Sequence, residues 1–247
     1  MNVPAKINIC RTREELSVAA AGHVLRVAAQ ATERRRAFTV ALSGGSLMEI
    51  LGPRLVESSL RDEVEWSAWH IFWADERCVP QASPESNYGT ADRLLFRHIN
   101  IPRDQIHALD DQLGAVEAAS AYESILREVL RPEPGKLPRL DLVLLGIGED
   151  GHTASLFPDA SLLNERQRWV VPVLYAPKPP HMRVTLTLPV INNARHIIFV
   201  AAGPGKRAIF SEVFKTGLHR PKLPAELVIP VDGDLQWFVD EAAAGIA

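Results

Sequence analysis

A short apolar run, Leu140 to Leu145, ends in Gly146-Ile147-Gly148-Glu149-Asp150-Gly151-His152. A run without a polar face fits a strand covered on both sides, as in a parallel sheet packed between helices. The glycines behind it let the backbone turn sharply and come close to a ligand. The acid and the histidine among them stand at the carboxyl end of the strand, where open α/β sheets bind ligands. Imidazole is the side chain best suited to moving protons at neutral pH, so His152 is a candidate general base.

Similar runs alternate with helical spacing elsewhere in the chain. Leu16, Ala20, Val24, Val27 and Ala31 predict an amphipathic helix over about 13–32. Strands are expected at 38–42, 69–74, 140–145, 170–174, 184–188, 197–201 and 227–229. Helices are expected after Ser46, over 87–98 and 113–130, from Gly203 to about 215, and over 235–244. The alternation predicts an α/β fold with a mainly parallel sheet covered by helices on both faces. Short interruptions in a chain of 247 residues predict one domain over 1–247.

Bulk properties exclude several classes. A net charge of −3 argues against a general nucleic-acid binder, yet allows a local basic pocket. Cys10 and Cys78 are too few for a disulfide framework or a thiolate zinc site, and they fit a reducing cytoplasm. Residues 1–13 lack the apolar core of a signal peptide, and no run approaches the ~18 apolar residues of a membrane span. Neither H-E-x-x-H nor the G-x-S-x-G elbow occurs, so no metal and no serine nucleophile of that type are expected.

Five polar clusters follow or border the expected strands. Ser43-Gly44-Gly45-Ser46 leads into a helix, a geometry that offers free N–H groups to a phosphate; it equally suits a tight turn with Ser46 as the helix cap. Asp75-Glu76-Arg77 could grip an anion through Arg77 and a sugar hydroxyl through Asp75, or form a structural ion pair. Gly146 to Gly151 matches G-x-G-x-x-G, a dinucleotide-binding pattern. Asp150 would set negative charge near a pyrophosphate, and the ribose-binding acid expected about ~20 residues on is absent from Arg168-Trp169-Val170-Val171. Arg183 precedes its strand rather than following it, so its convergence with the others is left open. Lys206 lies at a helix start, where a cation is poorly placed unless an anion joins it.

Taken together, Ser43-Gly44-Gly45-Ser46, Asp75-Glu76-Arg77, the run from Gly148 through His152 to Pro158, and Arg183-Val184-Thr185-Leu186-Thr187 resemble the soluble α/β 6-phosphogluconolactonase family. The resemblance implies a Rossmann-like sheet and hydrolysis of 6-phosphogluconolactone with no cofactor and no metal, by a monomer. It implies His152 as the base and Asp150 and Asp75 as orienting acids. Ser43, Gly44, Gly45, Arg77, Arg183 and Lys206 would share substrate and phosphate binding. The partner is then a small phosphorylated lactone rather than a nucleic acid or a membrane. The related glucosamine-6-phosphate deaminases carry Gly-His-Ile-Ala-Phe-Asn-Glu-Pro where this chain has Gly151-His152-Thr153-Ala154-Ser155-Leu156-Phe157-Pro158, so their acid is missing. A deaminase-like enzyme and a non-catalytic sugar-phosphate sensor are the alternatives.

Overall fold

The computed structural model describes residues 5–57, 62–215 and 221–246. Six parallel strands form the main sheet in the order β1-β9-β8-β5-β2-β3. They are β1 (Lys6–Cys10), β2 (Phe38–Leu42), β3 (Trp69–Trp73), β5 (Leu142–Leu145), β8 (His196–Ala201) and β9 (Asp234–Asp240). Every residue of β5 is buried, as is every residue of β8 after His196, so the centre of the sheet is covered on both faces. The α/β fold with a mainly parallel sheet is as expected.

Helix α1 (Arg13–Arg35) packs on β1, β2 and β9. The Thr12 hydroxyl caps its first turn by accepting from the Glu15 N–H. Arg36 ends it in the left-handed region at φ 61°. Arg35 then pairs with the buried Asp141 at 2.6 Å.

The crossovers place the site. From β2 the chain moves outward to β3, and from β5 it moves the opposite way through β8 to β9. The loops after β2 and β5 therefore diverge at the switch point of the sheet, which is where such sheets open a crevice.

Three differences from the sequence reading have physical causes. Strands β4 (Asp75–Arg77), β6 (Val170–Val173) and β7 (Arg183–Leu186) form a separate antiparallel sheet, β4-β7-β6, on which α3 (Ala115–Leu130) packs. The helix expected over 235–244 is instead strand β9 followed by a short helix at Glu241–Ala244. From Leu235 to Asp240 every residue is buried between β1 and β8, so the two-residue alternation that marks a strand is absent. The strand expected at 227–229 is a 3-10 turn at Pro224–Leu227, and the Ile229 N–H donates to the Asn192 side chain rather than to a sheet neighbour.

Candidate active site

The loops at the carboxyl ends of β2, β5 and β8, together with β4 and β7, enclose a cavity of about 200 Å³. Ser43, Gly44, Gly45, Asp75, Arg77, His152, Arg183 and Lys206 all line it. Asp150 stands behind His152 and reaches the cavity through it.

The β2 loop feeds α2 (Ser46–Leu55) through Gly45, whose backbone lies at φ 68° and ψ −148°. Gly45, not Ser46, occupies the capping position, and no side chain caps the helix. Its first N–H groups are thus left to a ligand, with the positive end of the helix dipole behind them. Gly44 is required for another reason. A Cβ there would stand 1.8 Å from Oδ1 of Asn87, whose side-chain amide donates to the Asp75 carbonyl at 2.7 Å. Asn87 itself is held by Glu76, a buried carboxylate that accepts from the N–H groups of Arg77, Asn87 and Tyr88 and from the Ser86 hydroxyl. Burial raises the pKa of Glu76 and these hydrogen bonds oppose the shift.

The β5 loop builds a hydrogen-bonded histidine–aspartate pair. Gly148 N–H donates to the His152 carbonyl at 2.8 Å, and Gly151 turns the chain at φ 83°. The turn brings Nδ1 of His152 to 2.5 Å from Oδ1 of Asp150. With Nδ1–H donated to the carboxylate, Nε2 is the basic nitrogen. Burial raises the Asp150 pKa, but its hydrogen bond to His152 and the imidazole charge outweigh this and leave it below the usual carboxylate range. The imidazole lies against Phe157, with ring centroids 4.8 Å apart.

Asp75 accepts from the Ser155 hydroxyl at 2.6 Å, which fixes its carboxylate in the wall, and no hydrogen bond joins it to His152 among the described residues. Arg183, also buried, donates to the carbonyls of Pro180 and Lys178 at 2.8 and 2.7 Å. Desolvation and the nearby Arg77 lower its pKa, against the pull of Asp75. Lys206 donates to the Ile147 carbonyl at 2.7 Å, which ties the β8 loop to the β5 loop. Lys178, unforeseen from the sequence, adds a further cation to the lining. It lies in a proline-rich loop rather than next to a strand end, which hid it. Arg77, Lys178, Arg183 and Lys206 thus share the lining with two acidic side chains, Asp75 and Glu149. Ser43 Oγ and Arg77 Nε are buried without hydrogen-bond partners among the described residues. The excess of cationic over acidic side chains suits the cavity to an anion.

Residues 11–237 match the family described as glucosamine-6-phosphate isomerases/6-phosphogluconolactonase. The chain belongs to that family. It is 42% identical to human 6-phosphogluconolactonase over 98% of this chain and 93% of the human one. It is 41% identical to a probable chloroplastic 6-phosphogluconolactonase of rice, over 94% of this chain and 73% of the relative. The 6-phosphogluconolactonase structure from Trypanosoma cruzi superimposes with a TM-score of 0.87 at 31% identity, covering 99% of this chain and 97% of that one. A monomeric glucosamine-6-phosphate deaminase shares the fold at a TM-score of 0.74 and 19% identity.

Proposed function

We propose that this chain hydrolyses 6-phospho-D-glucono-1,5-lactone to 6-phosphogluconate, the second step of the oxidative pentose phosphate pathway. The observation that carries the reading is the Asp150–His152 pair on the wall of a cavity lined by four cationic side chains. Its relatives named for this activity are similar along nearly the whole chain.

In the proposed mechanism the cation-rich wall and the uncapped start of α2 hold the phosphate. Asp150 keeps the proton of His152 on Nδ1. Nε2 takes a proton from water as the water oxygen bonds to the lactone carbonyl carbon. The tetrahedral intermediate then expels the ring oxygen, which receives that proton from Nε2. General acid–base help of this kind is worth about 10²–10⁴-fold. Water and one base suffice, so the chemistry calls for neither cofactor nor metal.

The deaminase reading is disfavoured by Phe157, an apolar ring packed on His152 where those enzymes carry an acid. A sensor would bind sugar phosphates without turning them over. We read the chain as one catalytic domain acting as a monomer in a reducing cytoplasm. One buried apolar cluster joins residues of both sheets, and both cysteines are free thiols. No helix among the described residues is long and apolar enough to cross a membrane.

The test is acid release from freshly generated 6-phosphogluconolactone, corrected for spontaneous opening. Acceleration by the protein that falls about 10²–10⁴-fold in His152→Ala supports the reading. Rates equal to background with the unaltered protein would move the deaminase or the sensor forward.

A further inference from the structure

At the opposite end of the sheet from the cavity, three potential metal ligands meet. His196 opens β8 and Asp234 opens β9, and the two are cross-strand partners. His23 reaches them from α1, which packs on β9. Each side chain offers one ligand atom, and these atoms lie within 4.8 Å of one another. The Nδ1 of His196 is 3.9 Å from Oδ2 of Asp234, too far for a hydrogen bond. That Nδ1 and Nε2 of His23 are both buried without a hydrogen-bond partner among the described residues. Buried polar atoms are normally satisfied, so two unsatisfied imidazole nitrogens beside one carboxylate ask for an explanation.

We propose that His23, His196 and Asp234 bind a divalent transition metal of the zinc, cobalt or nickel class. Two imidazoles and a carboxylate suit such ions, whereas magnesium and calcium prefer all-oxygen sites. Ligand atoms around a tetrahedral ion with bonds of about 2.0–2.2 Å stand roughly 3.3–3.6 Å apart, so from separations within 4.8 Å the side chains need to close by at most about 1.5 Å. His196 and Asp234 are partly exposed, which leaves room for water at a fourth position. The outer support is present: Gln236 donates to Oδ2 of Asp234 at 2.6 Å and accepts from Asn8 of β1 at 3.2 Å. One contact opposes the metal. Arg26 donates to Nδ1 of His23 at 3.1 Å, and a metal on Nε2 would place the imidazole proton on Nδ1. Arg26 is exposed and free to swing out. At ~3.3 Å per residue, β8 separates His196 from the active-site end at Ala201 by about 16 Å. The site is therefore a clamp joining α1 to β8 and β9, remote from the catalytic chemistry.

The test titrates the metal-stripped full chain with Zn²⁺ by calorimetry, and with Co²⁺ by its visible spectrum. One equivalent of each is expected, with a four-coordinate Co²⁺ spectrum and no response to Mg²⁺. Changes to outer support typically cost about 10–100-fold in affinity, so His23→Gln and His196→Gln should each lose at least ~100-fold. Arg26→Ala should bind more tightly, while His152→Asn and His107→Gln should bind as the unaltered chain does. Unchanged turnover in the His23 and His196 variants establishes that they are folded. Asp234→Asn, which keeps both imidazoles, gives the same comparison should a histidine variant not fold. Absence of binding by the unaltered chain, binding that survives these ligand substitutions, or binding lost in His152→Asn overturns the proposal.

Discussion

Arg77, the last residue of β4, lies directly opposite Arg183, the first residue of β7. Antiparallel pairing brings the start of one strand to the end of the other, which is how a residue that precedes its strand still reaches the cavity. Burial, then the positive charge of Arg77, lowers the pKa of Arg183, and a bound anion would relieve the repulsion between the two.

Arg183→Ala should therefore act mainly on substrate binding. A hydrogen bond to a charged group is worth about 1.5–3 kcal/mol, which corresponds to a KM rise of roughly 10–150-fold. The kcat should change little. Steady-state kinetics on fresh lactone check this, and a kcat loss with unchanged KM would assign Arg183 to the chemical step instead.

Gly148 is expected to control the position of His152. A Cβ at this position would stand 2.1 Å from Nδ1 and Cε1 of the imidazole and 2.6 Å from Oδ1 of Asp150. Gly148→Ala must push the pair apart and should cut kcat by at least ~100-fold, the low end of general-base catalysis. Far-ultraviolet circular dichroism should be unchanged. Near-normal turnover would show that the pair tolerates displacement.

Tyr122 should matter to stability rather than to turnover. Strand β3 is at the edge of the main sheet, and the Trp73 N–H finds its partner in the buried Tyr122 hydroxyl at 2.6 Å. Tyr122→Phe leaves that N–H buried and unpaired, at a cost of about 1–3 kcal/mol. Urea denaturation should show a lower midpoint with an unchanged slope.

His107 predicts a pH dependence of stability. Burial, then repulsion from His70, pushes its pKa down to about 4, against the pull of Asp104. In the unfolded chain a histidine takes up its proton near ~6.5, so between these values the unfolded state binds more protons. The stabilising contribution is complete above ~6.5 and is lost as pH falls toward about 4. By about pH 5 the loss is on the order of 1–2 kcal/mol. His107→Gln should flatten the decline in thermal midpoint over this range.

How far the sequence could be read depends on how local each signal was. Glycine loops beside buried strands announced the β2 and β5 corners, and the structure places His152 and Ser43 to Gly45 in the cavity lining. Asp75 lines it too, but its carboxylate bonds to Ser155, a residue far away in sequence. Lys178 left no trace because it lies in a proline-rich loop away from a strand end, and Asn87 because Glu76, eleven residues earlier, holds it in place. Strand β1 was missed because an edge strand buries too little to show a pattern, and β9 was misread because it buries too much. The metal-ligand cluster has no sequence spacing to find, since a helix and two separate strands supply its members.

Strand β1 pairs with β9 and with no other described strand. During synthesis, therefore, the first strand of the sheet emerges from the ribosome long before its partner exists. Until β9 is made, β1 is a bare edge, and β8 lacks its outer neighbour. The sheet closes only when the chain's two distant ends meet, a pairing whose loop-closure cost makes it late and slow. Without β9 the sheet would stop at β8 and β1 would have no described strand to pair with, so a stop before Asp234 removes more of the sheet than the strand it deletes.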